Sequence, residues 1–259
     1  MVFTDEFTKT SYLVYKYEIY SFEPLYKADV YINAKNGEVV FENSMIHHVD
    51  VAATGATLYD GTVNFTADQT GVNAYRLRQT SSGNGIETYS ANNAWNYATA
   101  TDITSTSNLV WPSSTQTAVQ AHYGAERTHS YFLTKHARNS FDNLGSIIKS
   151  YVNYGVNYVN AFWDGTRMTY GDGDGVNYGP LVSLDIVGHE IAHGVTTYSA
   201  GLFYRRESGA LNESFSDIFG EAVENYGKGT NNWQMGTEIG IGISGAIRSM
   251  NNPNLFNDP

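Results

Sequence analysis

Apolar residues fall at every second position along the first stretch of the chain. Tyr15, Tyr17 and Ile19, then Val30 and Ile32, then Val39 and Phe41, define one apolar face, which is the period of half-buried β-strands. Asn36-Gly37 predicts a type I′ hairpin turn between the last two runs. Residues 49–110 are rich in Thr, Ser, Gly and Asn, with short runs such as Tyr75–Leu77, and predict loops and a twisted antiparallel sheet. Between Thr115 and Arg138 the spacing becomes helical, with Val119, His122, Tyr123 and Ala125 clustered ahead of Tyr131 and Phe132. A further strand signal covers 158–170, with Asp164-Gly165 as its hairpin turn. After Pro180 two helices dominate. Nothing recurs at the spacing of a solenoid repeat.

Composition narrows the function classes. A chain of 259 residues is one large domain or two ordinary ones. Only 16% of the residues are charged and 14% are aromatic, which excludes a chain that stays solvated and disordered. The net charge of −11 offers no basic stripe for nucleic acid, and no apolar run is long enough to span a membrane. Cysteine is absent, so any metal must be held by His, Asp, Glu or carbonyl oxygen. The N-terminus has neither the basic start nor the apolar core of a signal peptide, and the C-terminus, NNPNLFNDP, stops in loop chemistry. The chain therefore reads as part of a longer reading frame.

The chemistry lies in residues 185–224. His189-Glu190-Ile191-Ala192-His193 is an H-E-x-x-H motif. Residues four apart share a helix face, so both imidazoles can reach one metal, with Glu190 near the open coordination position. The next helix carries an apolar stripe, Leu211, Phe215, Ile218, Phe219, Ala222 and Val223, and an acidic one, Glu213, Asp217 and Glu224. Acids on a helix are ordinarily a solvated face. If the two helices run antiparallel, however, facing residue numbers should sum to a constant. His193 with Glu213 and His189 with Asp217 both sum to 406, and Asp185 with Glu224 to 409. Glu213 is then the natural third zinc ligand. Asp217 can hold the free nitrogen of His189, and Asn212 that of His193. Asp185 and Glu224 face one another with no basic partner, which suits a calcium ion; a solvated or protonated acidic pair is the competing reading.

GHEIAHGVT and GALNESFSDIFG, with NAFWDGTRMTYGDGDG before them and ISGAIRSMNNP after, closely resemble thermolysin-like neutral metalloproteases. The resemblance covers roughly 50–259. It implies an α+β fold, with an antiparallel β-rich N-terminal lobe, a central zinc-binding helix and the start of a helical C-terminal lobe. Residues 1–48 resemble the tail of that family's inhibitory propeptide, 49–200 the N-terminal peptidase lobe and 201–259 the beginning of the C-terminal lobe. The maturation cut would fall soon after His48, between Val49 and Thr54. Residue by residue, the resemblance implies that His189, His193 and Glu213 bind one catalytic zinc and Glu190 is the general base. Tyr204 would steady the oxyanion. Asn160 and Ala161 would bind the peptide backbone as an added strand. Arg248 would bind a substrate carbonyl, and Leu181, Ile186 and Ile247 would line an apolar pocket that favours cleavage before a bulky hydrophobic residue. The implied protein is a secreted zymogen whose partners are peptide or protein substrates and its own propeptide.

Two departures stand out. The family's heat-resistant members hold paired calcium ions with acids that are missing from NNWQMGTEIG, where Asn232 and Gln234 replace them and only Glu238 is near. One structural calcium, at Asp185 and Glu224, is therefore expected. All seven histidines lie at or before His193, so the family's downstream oxyanion-stabilising histidine is absent, and weak proteolysis is expected of this stretch alone. The alternative is a catalytically incomplete zinc protein that binds peptides or its propeptide without cutting. Other motifs carry less. GDGDG reads as a tight turn, and the sequons at Asn64 and Asn212 and the histidines 47, 48, 122, 129 and 136 read as packing or surface residues.

Overall fold

The computed structural model describes residues 1–5, 8–22, 25–44, 49–242 and 245–256. His47, His48 and the expected boundary after residue 48 lie outside them. In chain order the strands are β1 (Val2–Thr4), β2 (Ser11–Phe22), β3 (Leu25–Asn33), β4 (Val39–Ser44), β5 (Val49–Ala56), β6 (Thr62–Gly71), β7 (Ala74–Arg76), β8 (Arg78–Gln79), β9 (Ile86–Ser90), β10 (Thr101–Asp102) and β11 (Thr104–Ser105). Helix α1 (Gln116–His136) follows, then β12 (Ile148–Val152), β13 (Ala161–Trp163), β14 (Met168–Tyr170), α2 (Leu184–Thr197), α3 (Arg206–Lys228), β15 (Gln234–Met235) and β16 (Arg248–Ser249).

The fold is α+β. Strands β1 to β4 form an antiparallel sheet in sequence order. Tyr15 pairs with Ile32 and Tyr17 with Val30, so these positions share a face as the alternation predicts. Phe41 does not join them. A bulge at Tyr31/Ile32 sets Phe41 opposite Tyr31 and Val39 opposite Ile32, and one extra residue turns a side chain to the other face. Phe41 stacks instead on Phe3, at 5.0 Å between ring centroids. The Asn36-Gly37 turn is also not type I′. That turn needs φ > 0 at both central residues, and of the two only Gly37 has it, at 78°. The connection runs from Asn33 to Val39, with the Gly37 amide bonded to the Asn33 carbonyl.

A second antiparallel sheet has the order β11-β7-β6-β5. The whole of Val49–Thr54 lies in β5, paired residue by residue with β6. The third sheet runs β10-β9-β12-β14-β13, with β8 beside β9. It is mixed, because β12 lies parallel to both β9 and β14. The hairpin from β13 to β14 is longer than Asp164-Gly165 alone: Asp164 bonds Arg167 through the backbone, and its carboxylate caps the amides of Thr166 and Arg167. Strand β13 is the edge of this sheet.

Helices α1 and α2 pack on the sheets in one apolar core that includes Phe65, Leu77, Ile86, Ala121, Ile148, Met168, Val187 and Ile191. Helix α2 is buried almost all the way round, its polar Asp185, His189 and Glu190 included. Helix α3 crosses it closely, because Gly220 and Gly188 carry no β-carbon at the crossing, where a carbon added at Gly188 would stand 3.1 Å from the Gly220 Cα. This contact is the one that the facing positions of the two helices predict. Leu211, Phe215 and Ile218 of the apolar stripe are exposed, while Asn212, Ser216, Asp217, Gly220, Glu221 and Glu224 are buried. The small and polar face of α3 meets α2, since only that face admits close backbone approach and supplies hydrogen bonds to the α2 side chains. Two of the stripe residues turn inward, Phe219 onto Phe132 and Val223 onto Gly188 of α2.

Candidate metal centre

The four-residue step on α2 brings the rings of His189 and His193 edge to face, 4.6 Å apart. Their Nε2 atoms point at one another across 2.9 Å. Glu213, entering from α3, places one carboxylate oxygen 3.3 Å from His189 Nε2 and the other 3.5 Å from His193 Nε2. Among the described residues this is the single group of three or more potential ligands whose atoms all lie within 4.8 Å of one another.

The far sides of the two rings determine what this means. His189 Nδ1 lies 2.8 Å from Asp217 Oδ1. Asp217 in turn accepts two hydrogen bonds from the Arg248 guanidinium, at 2.8 and 2.7 Å. His193 Nδ1 lies 2.7 Å from Asn212 Oδ1. The Asn212 amide is oriented by donating to the Leu202 carbonyl at 3.2 Å, which turns its oxygen, an acceptor only, to the ring. Ser216 Oγ stands 3.1 Å from the same nitrogen. Both rings therefore carry their proton on Nδ1, and both Nε2 lone pairs converge with a carboxylate on one point. Acceptors so close repel unless a cation lies among them. Two imidazoles and one carboxylate, with their outer nitrogens held, form a donor set suited to zinc with one position left open. The residues fit the metal.

The electrostatics agree. Burial would lower the pKa of His189, but the Asp217 and Glu213 carboxylates outweigh it and raise the group to about 9, so that a second proton, on Nε2, can stand in for the cation that the three acceptors call for. His193 is held below its ordinary value by burial and by the charge of its neighbour. Burial opposes ionisation of Glu213 and Asp217, yet bonds to His189 hold both at about 2. The site attracts positive charge.

Glu190 is buried on the cleft side of α2. Burial pushes its carboxyl up to about 7, with the Trp163 amide of β13 and the charge of His189 working the other way. Its Oε2 has no hydrogen-bond partner among the described residues and is free to accept one. Tyr204, exposed in the segment between the helices, donates its phenol proton to Glu213. A cleft of about 580 Å³ opens over these groups. Asn160, Ala161, Leu181, Ile186, Ile247 and Arg248 all line it, with Asn160 Nδ2 donating to the Tyr158 hydroxyl at 3.1 Å. Phe162, Trp163, Thr197, Leu202, Phe203 and Met235 line it too. They come from segments far apart in the chain, and no sequence spacing flags them.

Asp185 and Glu224 do not form the isolated carboxylate pair expected of them. Asp185 accepts from Ser183 Oγ, from the Ile186 amide at 2.8 Å and from the Gly236 amide at 2.5 Å. Glu224 has a basic partner, Lys228, at 3.0 Å. That pair sits at i,i+4 on α3, a spacing at which Glu and Lys meet on a helix surface, so the signal was present in the sequence. GDGDG is a tight turn, with Asp174 accepting the amides of Val176, Asn177 and Tyr178.

Comparison with known proteins agrees with this geometry. Residues 52–197 match the family model of the thermolysin metallopeptidase catalytic domain, and residues 200–259 that of the thermolysin metallopeptidase alpha-helical domain. Bacillolysin of Brevibacillus brevis is 43% identical over 253 residues, covering 96% of this chain and 46% of that protein. Neutral protease NprE of Bacillus pumilus is 43% identical over 213 residues, 80% of this chain and 69% of that protein. A solved structure described as the precursor of protealysin, a metalloproteinase from Serratia proteamaculans, superposes with a TM-score of 0.58 at 34% identity, covering 64% of this chain and 52% of that one. The chain thus spans less than half the length of the Bacillolysin it matches. With the two family models together matching residues 52–197 and 200–259 and the ligand geometry in place, the chain belongs to the thermolysin family of metallopeptidases.

Proposed function

We propose that the protein is a secreted zinc-dependent endopeptidase, made as a zymogen, in which residues 1–48 are the end of the propeptide, 49–200 the N-terminal peptidase lobe and 201–259 the start of the helical lobe. The observation that carries this reading is the convergence of His189 Nε2, His193 Nε2 and the Glu213 carboxylate, with His193 Nδ1 on the Asn212 oxygen and His189 Nδ1 2.8 Å from the Asp217 carboxylate. Secretion and the propeptide rest on the family resemblance.

A zinc ion held by those three side chains would acidify a water molecule and polarise the peptide carbonyl. Glu190 supplies the proton traffic. Its unpartnered oxygen accepts the proton of the attacking water and returns it to the leaving nitrogen, a role suited to a carboxyl raised to about 7 by burial. Tyr204 donates a hydrogen bond to the developing oxyanion. The exposed side of edge strand β13, around Asn160 and Ala161, takes the substrate backbone as a further strand. Leu181, Ile186 and Ile247 give the adjoining pocket apolar walls that accept a bulky hydrophobic side chain. Arg248 is committed to Asp217 by two hydrogen bonds and so steadies His189 while it faces the cleft.

The test uses the full-length protein and its Glu190→Gln variant. Both should hold one zinc per chain by elemental analysis, and the variant should lose casein hydrolysis by about 10²-fold or more, the usual contribution of a positioned base. A variant that still cuts at the parent rate, or a parent without zinc, would refute the proposal.

A further inference from the structure

At the end of the α2–α3 crossing remote from the histidines lies a group of five carboxylates, Asp60, Asp185, Glu221, Glu224 and Glu238. Burial leaves Glu221 and Asp185 with almost no exposed surface. Such a group ordinarily calls for a divalent cation. Yet among the described residues the ligand atoms here do not gather as those of the histidine site do, and the protein supplies partners to each of the five carboxylates from its own chain. Asp185 takes three donors from its own surroundings, and one oxygen of Glu221 takes Asn231 Nδ2 at 3.0 Å while its other oxygen has no hydrogen-bond partner among the described residues. The remaining three share one side chain. Lys228 Nζ lies 3.2 Å from Asp60, 3.0 Å from Glu224 and 2.6 Å from Glu238. An ammonium is a compact point charge with three donors, and here it meets three carboxylates from three separate parts of the chain.

We infer that Lys228 is the resident cation of this cluster, a covalently tethered charge that stands where a calcium ion would otherwise be needed. Its position favours the role. Lys228 is in the last turn of α3, where the helix dipole stabilises a positive charge. Asp60 belongs to the turn between β5 and β6, and Glu238 to the segment after β15. One ammonium therefore ties the end of α3 to the N-terminal lobe and to the chain beyond it, and the helix crossing that presents Glu213 and Asp217 to the histidines is held without a second metal. The inference does not depend on the protein being a peptidase.

Melting of the zinc-loaded, full-length protein tests it, in calcium-free buffer and with calcium chloride added. The parent should melt at the same temperature in both. Lys228→Gln should melt lower by about 5 °C, as for the loss of one partner in a largely buried ion pair, and added calcium should return part of the loss by occupying the vacated carboxylates. Two results overturn the inference: a parent whose melting temperature rises with calcium and no longer does so after Glu224→Gln, or a Lys228→Gln variant that melts with the parent. Should Lys228→Gln not fold, Lys228→Gln/Glu238→Gln carries the same test. Removing one carboxylate with the ammonium restores a folded protein if charge is the cause, and fails to if packing is.

Discussion

Gly220 offers the most direct handle on how the fold serves the site. A β-carbon placed there would stand 2.4 Å from the Asp185 carbonyl oxygen and 3.3 Å from the His189 amide nitrogen. Real β-carbons essentially never come within 3.0 Å of such an atom, so Gly220→Ala must open the crossing by at least about 0.6 Å in an interior packed too tightly to absorb it. Two opposing terms act on stability. Alanine favours the helix by about 1 kcal/mol over glycine, while overpacking costs about 1–3 kcal/mol. The net change is a modest loss, worth a few degrees of melting temperature at about 2–4 °C per kcal/mol. The geometric effect is larger. The contact of 2.8 Å between His189 and Asp217 crosses this same interface, and stretching it by that amount takes it near the limit of a hydrogen bond. Loss of such a supporting partner costs about 10–100-fold in metal affinity. Gly220→Ala should therefore bind zinc at least about 10-fold more weakly in a chelator competition while remaining folded by circular dichroism. Gly227→Ala is the control on the same helix. Its β-carbon would crowd the tip of Leu184, at 2.8 Å, which a rotamer change relieves, and touch Arg127 Cγ at an ordinary 3.7 Å, so zinc affinity should be unchanged. Parent-like zinc binding by Gly220→Ala, or an equal loss in Gly227→Ala, would show that the crossing distance does not set the site.

Two further expectations follow from individual groups. Asp217→Asn removes the charge behind His189 and one half of the Arg248 fork, and should weaken zinc binding by about 10–100-fold with little change in fold, measured by competition with a chromogenic chelator; an unchanged affinity would mean Asp217 does not hold the ring. Glu126 is buried, accepts the Thr66 amide at 2.8 Å and is pushed up to about 7, chiefly by burial. Its folded pKa exceeds the unfolded one, so the folded state gains from its proton below about 4.5 and loses that gain as the pH rises through 7. Glu126→Gln keeps the acceptor without the charge. It should match the parent in urea unfolding near pH 4 and exceed it by about 3 kcal/mol near pH 8; a difference independent of pH would refute the reading.

Much of the site was legible from spacing alone. The helical step from His189 to His193 depends only on local geometry, and the constant sum of facing positions placed Asp217 against His189 and Glu213 against His193, as the distances of 2.8 and 3.5 Å record. The alternation of β2 and β3 likewise predicted which residues share a face. These succeed because periodicity is a property of the local backbone, and two helices in contact add only one unknown, their register.

What the sequence could not determine depended on which surface was brought against which. The apolar stripe of α3 leaves open the exposure of Leu211, Phe215 and Ile218, which stand out from the helix while its small and polar face meets α2. Close approach needs Gly188 and Gly220, and the outer nitrogens of the histidines need acceptors; hydrophobic pattern encodes neither. The bulge that moves Phe41 across the β-sheet is a property of strand pairing, invisible in either strand alone. Lys228 stands four residues after Glu224, a partner that the pairing of Glu224 with Asp185 overlooks, and only folding brings Asp60, from 168 positions away, to the same ammonium. The sequence by itself determined the fold class, the metal-binding step on α2 and the third ligand on α3. Tertiary structure decided the depth of the helix crossing, the walls of the cleft and the partner of each buried charge, because those depend on distances between segments that no local period records.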